Sequence, residues 1–438
     1  MTTGARRGSP GSAERSHVGT VQRILNWRPD IDGRVIWTLA VATYLGIIAV
    51  GRLEWGVDLW PYLGVPSGPA LFVDARNLTA AWESARLGYD PLYENPRDPW
   101  HRPLMYLRPW LLLGALGLDQ SHTFILSTFL IATMFVSFAL LIGRVTAGAG
   151  IVLAFAVCSP AVMLAVERAN MDIALFSIVT IAILLWRVVP GPSRVASPIL
   201  VLVGATAKIY PAFALAAFLV SKNRRAARSA LLCLAALGVY FTYSLRDIAH
   251  VAEIATQGEQ FSYGARILPA HLYHHFAIAR WSGPTALKQA IAIVPLALIA
   301  IAIAVRIHRH LSSRSKVTTV ANASLVALHV GALTYLGTFA AANNFDYRLI
   351  FLLLTFPQLV EWASMPAHRL SGLAVATLVA IIVLLWVGSL SQWLDLWDEL
   401  ASWAVAGLLV AIVAATLPRL DAVRKSVFGD VTVAAPSR

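Results

Sequence analysis

Ten stretches of roughly twenty mostly apolar residues punctuate this chain, each long enough to cross a bilayer core about 30 Å thick as a helix. They fall near 34–51, 121–143, 149–166, 171–189, 229–245, 286–306, 319–341, 347–364, 370–390 and 402–418. Hydrocarbon supplies no partner for a backbone N–H or C=O, so runs of this kind must be helices packed against one another. With 58% hydrophobic and 13% charged residues over 438 positions, too few polar side chains remain to clothe a water-soluble domain of this size. The expected fold class is all-α: a polytopic transmembrane helical bundle.

A further apolar stretch, 196–221, is interrupted in the middle by Lys208 and Pro211. Proline cannot continue a helix ladder, and lysine is costly at mid-membrane. The formal charge of +12 comes largely from basic residues in short loops, where they set orientation and meet anionic headgroups. Nucleic acid is therefore not an expected partner, whereas membrane lipid is. Arg144, Arg187, Arg194, the Lys222–Arg228 and Arg306–Lys316 clusters, Arg369, Arg424 and Lys425 should all be cytoplasmic. A single crossing at 196–221 would put its two basic flanks on opposite sides. A hairpin of two short helices with Lys208 at its tip puts every basic loop on one side.

This topology predicts a multi-pass membrane protein with both termini inside; a bacterial plasma membrane is the expected location. Residues 1–33 read as a disordered basic tail without a cleavage pattern, 34–420 as the transmembrane domain and 421–438 as a second tail. Cys158 and Cys233 lie in apolar runs and read as small buried hydrophobes.

The outward loops are then 52–120, 167–172, 246–284, 343–348 and 392–399, and they carry the residues with chemistry. In the first, Leu78, Ala81, Trp82 and Ala85 recur at helical spacing after Asp74, which predicts an interfacial helix that opens at Asp74. Two readings of Asp74 stand side by side: a helix cap or a catalytic carboxylate. Glu167, Arg168, Asn170 and Asp172 occupy a junction with almost no loop, so they either project into the bundle mouth or pin the helix ends. Lys208, followed by Tyr210, is presented at a helix break where it could hold a phosphate. Asn344, Asp346 and Arg348 repeat the pattern, the alternative being a polar turn with Asp346 as cap. Ser262, Tyr263 and Arg266 could meet a polar substrate. His271 and His275 have a zinc-like i, i+4 spacing, but with His250 and His274 nearby and no accompanying ligand pattern an interfacial helix is the better reading. No metal ligand or cofactor is assigned, and a divalent cation stays open.

The order of these pieces resembles GT-C-type glycosyltransferases of family 87, the polyprenol-phosphate-mannose-dependent and arabinofuranosyl transferases. The resemblance rests on Asp74 with its amphipathic stretch, Tyr89-Asp90-Pro91-Leu92-Tyr93, Glu167-Arg168-Ala169-Asn170-Met171-Asp172, Ala207-Lys208-Ile209-Tyr210-Pro211 and Asn344-Phe345-Asp346-Tyr347-Arg348. The Lys-Ile-Tyr-Pro piece also resembles the mannosyltransferase that begins glycosylphosphatidylinositol anchors. The chain departs from the family at Met105-Tyr106-Leu107-Arg108-Pro109, where Tyr-Pro-Pro is common, and at Ala169, where glycine is frequent.

The resemblance implies a GT-C fold and transfer of a hexosyl, mannosyl above all, from a polyprenyl-phosphate-linked donor to a glycolipid or glycan acceptor. It implies Asp74 as base, and Lys208, Arg348 and Arg168 as holders of the donor phosphate. Glu167, Asn170, Asp172, Tyr210, Asn344, Asp346, Asp90, Tyr263 and Arg266 would shape the pocket. The absence of a nucleotide-binding glycine loop suits a lipid-linked donor. A transporter or flippase of a lipid-linked sugar is the rival reading, since broken helices also mark transport sites. No second broken helix stands at a matching position.

Overall fold

A computed structural model describes residues 19–27, 31–189, 191–221, 223–255, 261–268, 322–341, 343–388 and 395–417. The expected span 286–306, the histidines 271, 274 and 275, and the basic residues at 222, 306–316 and 424–425 lie outside the described residues. Within them the regular structure is almost all helix, with one pair of two-residue strands. Among these residues the chain has five helices long and apolar enough to cross a membrane, or six when one bent pair is taken as a span. It is an integral membrane protein by that measure.

Helix α1 spans Gly33–Glu54, and the loop after it carries α2, Val73–Arg86. Helix α3, Thr123–Ile142, is followed by α4, Ala147–Val157, and α5, Pro160–Arg168. The apolar run at 149–166 is therefore not one straight span. It bends by 56° at Ser159, which is extended and precedes a proline unable to donate to the ladder. Helix α4 packs closely on α1 at Gly150, where a methyl group would strike the backbone of Gly33, and on the segment before α1 at Gly148, where it would strike Ile24.

Helix α6, Asp172–Val188, leads to α7, Ala196–Ala207, α8, Ala212–Leu219, and α9, Arg224–Tyr243. The segment 196–219 is a hairpin. Asn223 Nδ2 donates to Gly191 O at 2.9 Å, which ties its two outer ends together, and Tyr240 OH donates to Thr206 O at 3.0 Å beside its tip. Helix α10, Leu245–Ile254, and strand β1, Ser262–Tyr263, follow. Helix α11, Ala323–Ala341, precedes β2, Asn344–Phe345, which pairs antiparallel with β1. After α12, Phe356–Ala363, come α13, Ser371–Val387, and α14, Asp395–Thr416.

Between β2 and α12 the chain forms a 3-10 helix, Asp346–Thr355, rather than the start of one continuous α-helical span. Ten residues at about 2.0 Å rise and eight at about 1.5 Å give roughly 32 Å, so this short segment still matches a bilayer core. The three-residue period has a further consequence. It places Arg348, Phe351 and Leu354 on one face, and Arg348 and Phe351 both meet the Tyr210 ring. From there an edge-to-face column runs through the core, Tyr210–Phe351–Phe176–Phe138–Trp37, with centroids 5.4 to 5.9 Å apart.

One end of the bundle gathers residues 19–27, 143–148 and 364–371: Thr146 Oγ1 donates to Leu25 O, Asn26 Nδ2 to Ser364 O and Gln22 Nε2 to Ser371 Oγ. Arg144 and Arg369 belong to this end. The carboxylate-rich loop 52–120 lies at the other.

Helix α2 departs from the expected interfacial helix. Its buried residues run round both faces, Val73, Asn77, Leu78, Ala81, Trp82 and Ser84 among them, while Ala85 is exposed. Its apolar stripe faces protein, because the rest of the loop folds over it: Trp82 Nε1 donates to Trp110 O at 2.8 Å and Ser84 Oγ to Asn95 Oδ1 at 2.7 Å.

Buried Asp98 is the clasp of this arrangement. It accepts from Asn77 Nδ2, Trp100 N and the Arg102 guanidinium, whose Nη2 also donates to Val73 O at 2.9 Å. Burial alone would raise the Asp98 carboxyl, but the bonds from Arg102, Asn77 and Trp100 outweigh it and hold the group below the usual carboxylate range. A depressed folded-state value stabilises the fold fully above the unfolded carboxylate's pKa of about 3.9, and the contribution is lost as pH falls through the lower folded value. Asp98→Ala is expected to cost about 3 kcal/mol, by leaving Arg102 half-buried without its partner. Thermal unfolding in detergent at pH 7 checks this, and a midpoint equal to wild type would refute it.

Candidate functional site

Asp172 is the centre of the site. It opens α6 in the helix's first turn, where the helix N-terminus favours a negative charge, and its side chain is wholly buried. Lys208 Nζ donates to Asp172 Oδ1, and Arg348 Nε donates to Oδ2 at 3.1 Å. Lys208 reaches it because α7 stops there: the residue is extended, φ −158° and ψ 133°, and Pro211 delays the next helix. Arg348 is held from behind, its Nη1 donating to Asn344 Oδ1 while Asn344 Nδ2 donates to Thr338 O at 2.7 Å.

Three tyrosines box the lysine. Its Nζ lies 5.4 Å from the Tyr106 ring centroid, 5.5 Å from Tyr210 and 5.8 Å from Tyr347, and Arg348 Cζ lies 4.7 Å from Tyr210. Asp172 supplies one negative charge to two cations, so the trio keeps one positive charge. Lys208 and Arg348 stay partly open, with side-chain exposures of 16% and 15%.

Asp74 joins this centre through Asn170. Asn170 Nδ2 donates to Asp74 Oδ2 at 2.7 Å, and its Oδ1 accepts from Asp172 N at 2.9 Å, so one buried amide bridges the starts of α2 and α6. Arg168 Nη1 stands 3.8 Å from Asp74 Oδ1. Asp74 does not cap α2. The cap position is Phe72, in the left-handed region at φ 60° with no side-chain cap bond, and its N–H donates to Glu167 O. A bulky residue held at positive φ two positions before a candidate catalytic carboxylate is strain of the sort that surrounding structure must impose. Here Glu167 imposes it, accepting from Gly68 N with its carboxylate and from Phe72 N with its carbonyl.

Ala169 stands at a strained backbone position. It ends α5 at φ 43°, ψ 50°, a left-handed conformation that glycine adopts without strain. Relief of roughly 1–2 kcal/mol of left-handed strain is opposed by about 0.8 kcal/mol for the buried methyl and roughly 0.4–1 for the freer unfolded chain. Ala169→Gly should thus leave the thermal midpoint within a few degrees of wild type, whereas Ala169→Val should lower it clearly. A marked drop for the glycine variant in a melting assay would contradict this.

Of the residues singled out from sequence, Asp74, Arg168, Asn170, Asp172, Lys208, Tyr210, Asn344 and Arg348 form one network, and Glu167 buttresses it. Asp346 is buried beside it as the first residue of the 3-10 helix; Phe345, and not Asp346, holds the cap position. Asp90 is not in this centre: it pairs with Arg108 at 2.9 Å, and Arg108 also binds Asp247 at 2.6 Å. Tyr263 is fully buried, stacked 5.3 Å from Tyr335 and bonded to Thr338, which anchors β1. Arg266 is exposed, outside the contacts that tie the network among the described residues. His250 bonds Leu92 O and stacks on Tyr93. Among the described residues, no group of three or more His, Cys, Asp or Glu could hold a metal ion.

The sequence reading missed Tyr106 as a site residue. It stands in the stretch that departs from the family pattern, and its only signal was an aromatic residue in an outward loop. No protein-family profile, curated protein or solved structure matches the chain.

Proposed function

We propose that the chain is a membrane glycosyltransferase of GT-C architecture that moves a hexosyl group, mannosyl above all, from a polyprenyl phosphate to a glycolipid or glycan acceptor. The observation that carries the reading is the single network from Asp74 through Asn170 and Asp172 to Lys208 and Arg348. It sets a carboxylate beside a partly open, net-positive aromatic box at one end of a membrane bundle.

In the proposed step the acceptor oxygen attacks the anomeric carbon and its proton passes to Asp74 Oδ1, Oδ2 being held by Asn170. The bond from the anomeric carbon to the phosphate oxygen breaks, and polyprenyl phosphate leaves with the electron pair. Its new charge falls to Lys208 and Arg348, with Arg168 close by. The basic end faces the cytoplasm in this reading, which sets the reaction on the outer side. About ten full spans complete the bundle.

The test incubates membranes from expressing cells with radiolabelled polyprenyl-phosphate sugars and endogenous acceptor lipids. Label is expected in a glycolipid or glycan product from one donor. Passage of the intact labelled donor between leaflets, with no product from any donor, would replace this reading with the transporter.

A further inference from the structure

A concavity lined by charged and aromatic side chains lies beside the network. It is a groove of about 670 Å³ lined by Asp90, Tyr93, Arg108, Tyr240, Tyr243 and Asp247, within the size range of small-ligand sites. Its wall is tied to the hairpin tip: Tyr240, which lines it, donates its OH to Thr206 O, two residues before Lys208. Arg246 also lines it, so two carboxylates face two guanidiniums and the formal charges cancel.

The pairing is close. Arg108 donates through Nε and Nη2 to Asp247 and through Nη1 and Nη2 to Asp90, which leaves little for an incoming anion. Arg246 lies over the Tyr93 ring at 5.9 Å. What such a groove offers is spare carboxylate lone pairs, guanidinium edges and aromatic faces, Tyr243 being 91% exposed. Those groups match a neutral polyol, whose hydroxyls bond the charged edges while its C–H faces lie on the rings. Leu112 is exposed within the groove, and Leu232 and Val239 are exposed along α9 beyond it, an apolar flank suited to a lipid chain.

We infer that this groove binds the neutral glycan head of a glycolipid, and, resting on the transferase reading, that it is the acceptor subsite. The occupant's sugar lies against Tyr243 and the Asp90–Arg108–Asp247 triad, and its lipid lies along α9.

Saturation-transfer NMR on the full chain in nanodiscs tests it with mannotriose, dodecyl mannotrioside and mannose 6-phosphate. Wild type is expected to bind both neutral probes, the dodecyl form at least about tenfold tighter. Tyr243→Ala, whose side chain is almost wholly exposed and so leaves the fold intact, and Asp247→Asn should each weaken both about tenfold. Tight mannose 6-phosphate binding with no neutral binding, or neutral binding unchanged in both variants, overturns the inference. The readout is independent of transfer. Binding lost in Tyr243→Ala, with no sugar transfer from any donor, keeps the groove and discards the transferase; transfer with unaltered binding in the variants does the reverse.

Discussion

Asp74→Asn is expected to lower sugar transfer by roughly three orders of magnitude while leaving the protein folded, since a positioned general base contributes about 10²- to 10⁴-fold. The substitution keeps the shape of the side chain and removes the site that, in the proposed step, takes the acceptor proton. The amide oxygen can still accept from Asn170 Nδ2, the bond that now fixes Oδ2 at 2.7 Å, so α2 keeps its tie to α6. The loss should fall on kcat, because the proton moves only in the transition state, while donor KM changes little. Steady-state transfer over a range of labelled-donor concentrations measures both, and a melting curve controls for folding. Equal transfer by wild type and variant would remove Asp74 as the base. A loss confined to donor KM would make it a binding group.

The end-to-end grouping of Asp172, Lys208 and Arg348 was legible because charge sidedness constrains topology strongly. In the charge-based reading only a hairpin at Lys208 keeps the basic loops together, and the hairpin found at 196–219 does put Lys208 beside Asp172 and Arg348. The identity of each partner was less legible. Asp90 carries the same side chain as Asp74 and sits in an equally motif-like stretch. What separates them is that Arg108 and Asp247, one of them 139 residues from the other, close around Asp90. No local spacing encodes that closure.

Periodicity also misled where tertiary packing overrode it. The stripe on Val73–Arg86 has helical spacing, but whether lipid or protein covers it depends on loop residues such as Asp98 and Trp110 folding back. The 3-10 geometry of Asp346–Thr355 was hidden for a similar reason. Leu-rich runs suit either helix, and the choice is visible only once Arg348 and Phe351 must both meet Tyr210.

The shared carboxylate makes a sharper test of the site than removal of either cation. Asp172→Ala leaves Lys208 and Arg348 facing each other in a largely buried setting without the carboxylate they share, which should cost about 3–5 kcal/mol. It should appear as poor accumulation or a strongly lowered thermal midpoint. Lys208→Met differs, because Asp172 keeps Arg348 and the hairpin tip stays packed among Tyr106, Tyr210 and Tyr347. That variant should fold while losing roughly 10²- to 10³-fold in kcat, the scale for removing one group that stabilises developing negative charge. Combining the two substitutions then separates the roles. Asp172→Ala with Lys208→Met leaves one buried cation rather than two, so much of the stability lost in Asp172→Ala should return, a coupling that only contacting residues show. Activity should not return with it. Recovery of transfer in the double variant would mean that Lys208 and Asp172 are a structural pair alone, and that the leaving phosphate is met elsewhere.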